Sequence, residues 1–248
     1  MRRTLWIFVI LLLLFCTVPA LAQEADPVAP VRAYVAAHPA DVGIACYPID
    51  DPQSGVYHNA DEPFPLGSVY KVLVLAEYAV QVADGRLDPE ERVPLADLNA
   101  YYLPGTDGGA HDLWLQTDAQ IENETVSLHD VAYGMIRYSS NAAADYLLER
   151  VGTAGFADLY TRLGIPDMHV PEDVIGHFLT FSNHEIGFAN PETLTQEAYA
   201  AESERLRQLF LNDAAWRDAL LAYTPAEMPS VAQQLAYFNN FGNRASPL

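Results

Sequence analysis

The 248-residue sequence predicts a mixed α/β (α+β) protein, with an antiparallel sheet and a helical subdomain between about Leu87 and Gly164. Three observations carry that reading. Val42-Gly43-Ile44-Ala45-Cys46-Tyr47 and Gly55-Val56-Tyr57-His58-Asn59 are short runs of strand formers, and segment 50–55 between them is dense in turn residues, the signature of a hairpin. An apolar run opens at Val72, behind the helix breakers Pro65 and Gly67, and reads as a buried helix to about Val82 with Asp84-Gly85 as its stop. Two further apolar helices begin at Ser127 and Ala142, separated by the polar step Tyr138-Ser139-Ser140-Asn141.

At the N-terminus, Met1-Arg2-Arg3 is basic, Leu5 to Val18 is almost wholly apolar, and Ala20-Leu21-Ala22 has the small-x-small pattern of a signal-peptidase site. The expectation is a cleaved export signal over residues 1–22, one domain over 23–248, and a secreted or cell-envelope location. The apolar run is short for a membrane span, so no stable membrane insertion is expected after cleavage, and Phe15 ahead of Cys16 argues against a lipoprotein. The remaining chain sets 33 acidic against 11 basic residues, a formal charge of −22. Such a surface repels nucleic acid and anionic lipid, so neither is expected as a partner. Cys46 is then the sole cysteine. An intramolecular disulfide is impossible, and its apolar run predicts a buried, inert thiol.

The other elements follow in order. Val31 to Ala37 is a short helix. Leu87 to Ala100 is polar and broken by Pro89 and Pro94, and Tyr101 to Ala110, with Pro104-Gly105 and Gly108-Gly109, reads as an exposed loop. Ser127 and Asp130 form a capping-box-like pair opening the next helix, with His129 exposed in its first turn. The helix from Ala142 ends at Val151-Gly152. Beyond Pro166, residues 167–190 are irregular. His169, His177 and His184, with Glu172, Asp173 and Glu185, match no zinc spacing and read as scattered surface-loop histidines; no metal and no cofactor are expected. Thr195 to Phe210 and Asp213 to Tyr223 form amphipathic helices on a solvated face. Pro225 to Leu248 has no clear ending signal.

The chemistry concentrates at Phe64-Pro65-Leu66-Gly67-Ser68-Val69-Tyr70-Lys71. Residues i and i+3 share a helix face, so Ser68 and Lys71 project together near a helix start. Lys71 is the only lysine in the chain. A position that keeps an amine where every other cation is a guanidinium suits a group that must surrender a proton. A serine hydroxyl becomes nucleophilic when an adjacent base takes its proton. The Ser139-Ser140-Asn141 step admits a plainer reading as the N-cap of the following helix.

Together, Ser68-Val69-Tyr70-Lys71 and Ser139-Ser140-Asn141 resemble the penicillin-recognising serine enzymes, above all class A β-lactamases, with their S-x-x-K, S-D-N and K-T-G motifs. The resemblance covers about Val42 to Gly152 and implies a β-lactamase/transpeptidase-like fold with Ser68 in a cleft between helical subdomain and sheet. It implies that Ser68 is acylated, Lys71 acts as its base or orients a water that does, Ser139 relays a proton to the leaving nitrogen, and Asn141 binds Lys71 or the substrate amide. Ser140 stands where the family has Asp. No Lys or Arg precedes Thr-Gly or Ser-Gly, so the third motif, which in the family binds the substrate carboxylate, is absent. Asn243-Arg244-Ala245-Ser246-Pro247-Leu248 looks like the approach to the helix after the omega loop, leaving the sheet incomplete at the C-terminus. The family's deacylating Glu-x-x-Leu-Asn is missing too; Glu192 in Pro191-Glu192-Thr193-Leu194 and Glu172 are its nearest echoes. The implied activity is β-lactam hydrolysis by a monomer acting on a small molecule. The alternatives are a D-alanyl-D-alanine carboxypeptidase- or transpeptidase-like enzyme on peptidoglycan peptides, and an inactive ligand-binding remnant.

Overall fold

The computed structural model describes residues 26–166, 168–225 and 228–247; the expected export signal lies outside them. The chain divides into two compact units, residues 1–60 and 61–248.

In the first unit, α1 (Ala29–Ala37) precedes the expected hairpin, β1 (Ile44–Cys46) against β2 (Val56–His58). The pairing is antiparallel, Ile44 opposite His58 and Cys46 opposite Val56. Cys46 is exposed, against the expectation of a buried thiol. An apolar run does not say whether both faces of its strand are covered, and the opposing Val56 is itself 63% exposed. Hydropathy alone therefore misplaced the thiol.

The second unit begins with β3 (Phe64–Pro65), a 3-10 turn over Gly67–Tyr70, and α2 (Lys71–Ala83). Gly67 sits at φ +51°, the left-handed region that glycine enters without penalty, and this sets the sharp entry into the turn. The buried positions of α2 include Lys71, Val74, Tyr78 and Gln81, a helical stripe. The period that drives Val74 and Tyr78 into the core thus also buries Lys71.

The helical subdomain contains more than the sequence suggested. The polar stretch after Leu87 forms β4 (Arg92–Pro94) and α3 (Leu95–Asn99), and α4 (Ala110–Thr117) follows the Gly108-Gly109 turn. β4 pairs antiparallel with β5 (Thr125–Ser127), placing Val93 opposite Val126, both fully buried. Ser127 caps α5 (Leu128–Tyr133) by accepting from the Asp130 N–H at 3.0 Å, and His129 is exposed as expected. α5 continues as a π-turn, Gly134–Tyr138, and the chain then enters α6 (Asn141–Val151), which ends at Gly152. Trp114, Val131, Met135, Leu147 and Phe156, the last from α7 (Phe156–Leu163), fill the main core with Val74.

Residues 167–190 are not the irregular surface loop expected. They include α8 (Val174–Phe181) and the small hairpin β6 (Ser182–Asn183) with β7 (Gly187–Phe188). α9 (Gln196–Asn212) and α10 (Ala214–Ala222) fall where expected, and their inner face is buried with α8 through Ile175, Leu206, Phe210 and Trp216. Past Pro225, α11 (Val231–Asn240) carries a full Ser230–Gln233 capping box. β8 (Arg244–Ala245) then pairs antiparallel with β3, Phe64 opposite Ala245, and Leu66 N–H donates to the Asn243 carbonyl at 2.9 Å. Each sheet among the described residues has two strands, and none of the described helices is long and apolar enough to cross a membrane.

Candidate active site

Two pieces of chain, about seventy residues apart in sequence, meet at one amine. α2 brings Lys71 from the core side, the 3-10 turn before it brings Ser68, and the turn between α5 and α6 brings Ser139 and Asn141. Lys71 Nζ lies 2.7 Å from the Ser139 carbonyl oxygen, 2.7 Å from Asn141 Oδ1, 3.0 Å from Ser139 Oγ and 3.3 Å from Ser68 Oγ. Ser139 Oγ is 2.8 Å from Ser68 Oγ. All four expected residues are thus in one hydrogen-bonded cluster.

The shortest contacts decide what the amine can do. The Ser139 carbonyl and Asn141 Oδ1 only accept, so they take two hydrogens from Nζ in either protonation state. An ammonium has one hydrogen left for two hydroxyls; a neutral amine presents its lone pair there instead. Lys71 is 2% exposed, and burial lowers its pKa from 10.5 to about 8, against the opposing pull of Asp145 and Asp107. Neutral Lys71 is therefore accessible near physiological pH, with its acceptor side turned to the serine pair.

Local backbone chemistry holds the second turn. Ser139 is left-handed, at φ +68°, which costs a non-glycine residue about 1 kcal/mol or more. The Gly134–Tyr138 π-turn before it supplies the extra residue that points both the carbonyl and the hydroxyl of Ser139 at Lys71. The plain N-cap reading also holds, at the neighbouring residue: Ser140 Oγ accepts from Ala143 N–H at 3.1 Å. Ser140 is fully buried and lies 2.9 Å from His111 Nδ1, while His111 Nε2 lies 2.9 Å from Asn99 Oδ1. Burial lowers the His111 pKa. The neutral ring donates from Nε2 to Asn99 and accepts the Ser140 hydroxyl at Nδ1. A neutral Ser–His pair thus fills this buried position beside Asn141.

Segment 101–110 is half-buried rather than an exposed loop, and it contributes two residues the sequence did not single out. Asn141 Nδ2 donates to the Thr106 carbonyl at 3.0 Å. Asp107 accepts N–H groups of Gly109, Ala110, His111 and Asn141 at 3.0 to 3.3 Å. Nothing local in the sequence ties them to the site, because their contacts with Asn141 span 34 and 35 residues.

A cleft of about 520 Å³ opens onto Ser68, Ser139 and Asn141. Its other wall is helical rather than a sheet, built by α8 and α11 with the chain after α11. Asp173 caps α8 through Gly176 N–H at 2.6 Å, and burial raises its pKa. Asp145, beneath it, accepts from Val174 N–H at 2.8 Å and Ile175 N–H at 2.9 Å, so α6 fixes the start of this wall. His177, on α8 rather than in a surface loop, lines the cleft, and burial lowers its pKa to about 4. Glu172 does not line the cleft; its carboxylate accepts from Tyr199 Oη at 2.6 Å. Glu192 is exposed, in the turn before α9, and is likewise absent from the cleft lining.

The sequence model of the beta-lactamase enzyme family matches residues 27–233. None of the curated proteins matches the chain. Among solved structures it is similar to PBP-A (23% identity, TM-score 0.37, covering 48% of this chain and 42% of that one). It is similar also to an ancestral (GNCA) class A beta-lactamase (20%, 0.45, 78% and 68%). A third is the beta-lactamase from Sphaerobacter thermophilus DSM 20745 (22%, 0.45, 79% and 67%). The chain thus spans about two fifths of the length of PBP-A.

Proposed function

The chain belongs to the beta-lactamase enzyme family, and from that premise we propose that it is a serine acyl-transfer enzyme that opens β-lactams through an ester on Ser68. Ser68 Oγ attacks the lactam carbonyl carbon as its proton passes to neutral Lys71. The C–N bond then breaks, and the ring nitrogen takes a proton from Ser139 Oγ, which regains one from the Lys71 ammonium. The sequence conserves protons: one leaves Ser68, and one arrives on the departing nitrogen. Water hydrolyses the ester and returns free Ser68. The observation that supports this reading is the Lys71 environment, in which two fixed acceptors take two hydrogens and leave the remaining position to the serine hydroxyls. We place this chemistry outside the cytoplasm, on a single chain acting on a small molecule.

A second reading, a peptidase-like enzyme with a long-lived acyl-serine, is favoured by Glu172. Its carboxylate is engaged by Tyr199 and does not line the cleft, so it is not placed to activate a hydrolytic water. Incubation with a chromogenic cephalosporin, followed by intact-mass measurement, separates the cases. Repeated turnover supports the hydrolase, and a stable one-to-one adduct supports the peptidase-like enzyme. If wild type and Ser68→Ala both stay unlabelled, the chain is an inactive remnant.

A further inference from the structure

The two walls of the cleft differ in chemistry. Ser68, Ser139 and Asn141 form one side. Phe178, Phe238 and Phe241 form the other, grouped around His177, whose ring centroid is 5.6 Å from Phe178 and 5.3 Å from Phe238. Gly242 closes this group, at φ +87°: a Cβ there would lie 2.8 Å from His177 Cε1, so a glycine is what lets the chain after α11 press against the ring. Burial keeps His177 neutral. Two carboxyl groups, Asp107 and Asp173, line the cleft, and no arginine or lysine side chain lies among the described residues lining it. Tyr70 also lines it, but its hydroxyl is buried and has no hydrogen-bond partner among the described residues. The chain as a whole carries a formal charge of −20, a field that lowers the local concentration of anions and favours neutral molecules.

We propose that this cleft selects acyl donors carrying an uncharged apolar or aromatic acyl side chain, seated against Phe178 and Phe238, and discriminates against donors whose acyl side chain itself ends in a free carboxylate. The proposal rests on the acyl-transfer reading of Ser68 and names its substrate class. An aromatic acyl group buries its faces against the phenylalanine rings, in the offset or tilted contacts such rings favour. A carboxylate placed there loses water and gains no cation in exchange.

Three p-nitrophenyl esters with one leaving group test it: the acetate, the phenylacetate and the hydrogen succinate. In each, the Ser68 Oγ–acyl bond forms, p-nitrophenolate leaves and the hydroxyl proton passes to Lys71. Second-order acylation rates, divided by each ester's hydrolysis rate in buffer, are read from nitrophenolate release and confirmed by intact mass. The phenylacetate is expected to react at least tenfold faster than the acetate, and the succinate at least tenfold slower, the second gap shrinking as salt is added. Phe238→Ala and the milder Phe238→Leu are each expected to reduce the phenylacetate-to-acetate ratio at least threefold. Equal rates for the three esters, a preference for the succinate, or an unchanged ratio in both Phe238 variants would overturn the proposal while leaving acyl transfer intact. An absence of any Ser68 adduct would overturn acyl transfer and the proposal with it.

Discussion

Lys71 Nζ meets Ser139 twice, at the backbone carbonyl at 2.7 Å and at the hydroxyl at 3.0 Å. One residue therefore both fixes the amine and offers it a route for protons. The carbonyl contact survives any side-chain change at position 139, whereas the hydroxyl contact does not, so positioning and relay are separable by mutation.

The first expectation concerns pH. If neutral Lys71 accepts the Ser68 proton, the acylation rate constant of the free enzyme rises tenfold per pH unit below about 8 and levels off above it. Lys71→Arg keeps the charge and removes the base, and should lower acylation at least ~10³-fold at every pH. Stability has its own signature. The folded pKa lies below the ordinary 10.5, so the folded chain binds fewer protons between about 8 and 10.5, and this residue's cost to stability fades as pH rises through that window. Stopped-flow acylation from pH 6 to 10 checks the first claim; a flat profile would remove Lys71 as the base.

Ser139→Gly should separate relay from strain. Glycine accepts the φ of +68° freely and keeps the carbonyl contact, so folding stability should rise by about 0.5 to 1 kcal/mol. Loss of the hydroxyl should lower acylation by roughly 10²- to 10⁴-fold. Chemical denaturation and β-lactam acylation, measured on the same preparation, test both; a Ser139→Gly variant that is destabilised or acylates normally contradicts the role given to this residue.

Asn141→Asp replaces a neutral acceptor 2.7 Å from Nζ with an anion. A carboxylate beside an ammonium favours the charged form and typically shifts the pKa by 1 to 3 units. The midpoint of the acylation profile should therefore move upward from about 8 by at least ~1 unit, with the plateau approached only in alkaline buffer. Loss of the donation to the Thr106 carbonyl should add a smaller, pH-independent fall.

What could be read from the sequence divides by range. Ser68 and Lys71 stood out because i, i+3 spacing on a helix is local, and the Ser139–Asn141 step because three polar residues interrupt two apolar helices, but it was the family resemblance that joined the two into one expected site. Thr106, Asp107 and His111 were not, since only tertiary folding brings them to α6. α8 hid for another reason: Val174-Ile175-Gly176-His177-Phe178-Leu179-Thr180-Phe181 is apolar on nearly all sides and lacks the one-sided periodicity that marks a surface helix. α11 was missed although it left a signal, since Ser230, just before Val231, and Gln233 have capping-box spacing. The cleft wall the sequence assigned to a sheet is built by these two helices, and the wall's charge and aromatic character depend on them.

The last expectation concerns Asp145, which joins α6 to the opposite wall of the cleft. Burial raises its pKa first, and the neighbouring Asp173 raises it further, while the Val174 and Ile175 N–H groups and Arg207 pull the other way. A carboxyl group whose folded pKa is raised holds extra protons in the folded state, so its contribution is present at low pH and is lost as pH climbs from about 4. Asp145→Asn removes that titration. Its single amide oxygen can serve one of the two N–H groups well, leaving the other short of an acceptor at a cost of about 1 to 3 kcal/mol. At pH 5 the variant should therefore melt below wild type, and by pH 8 the gap should narrow, because only wild type has an Asp145 carboxyl to deprotonate against the neighbouring Asp173. Thermal denaturation of both proteins at pH 5, 6.5 and 8 checks this. Parallel curves would mean that Asp145 is ionised throughout, and that the start of α8 is held by a fixed anion rather than by a titrating pair.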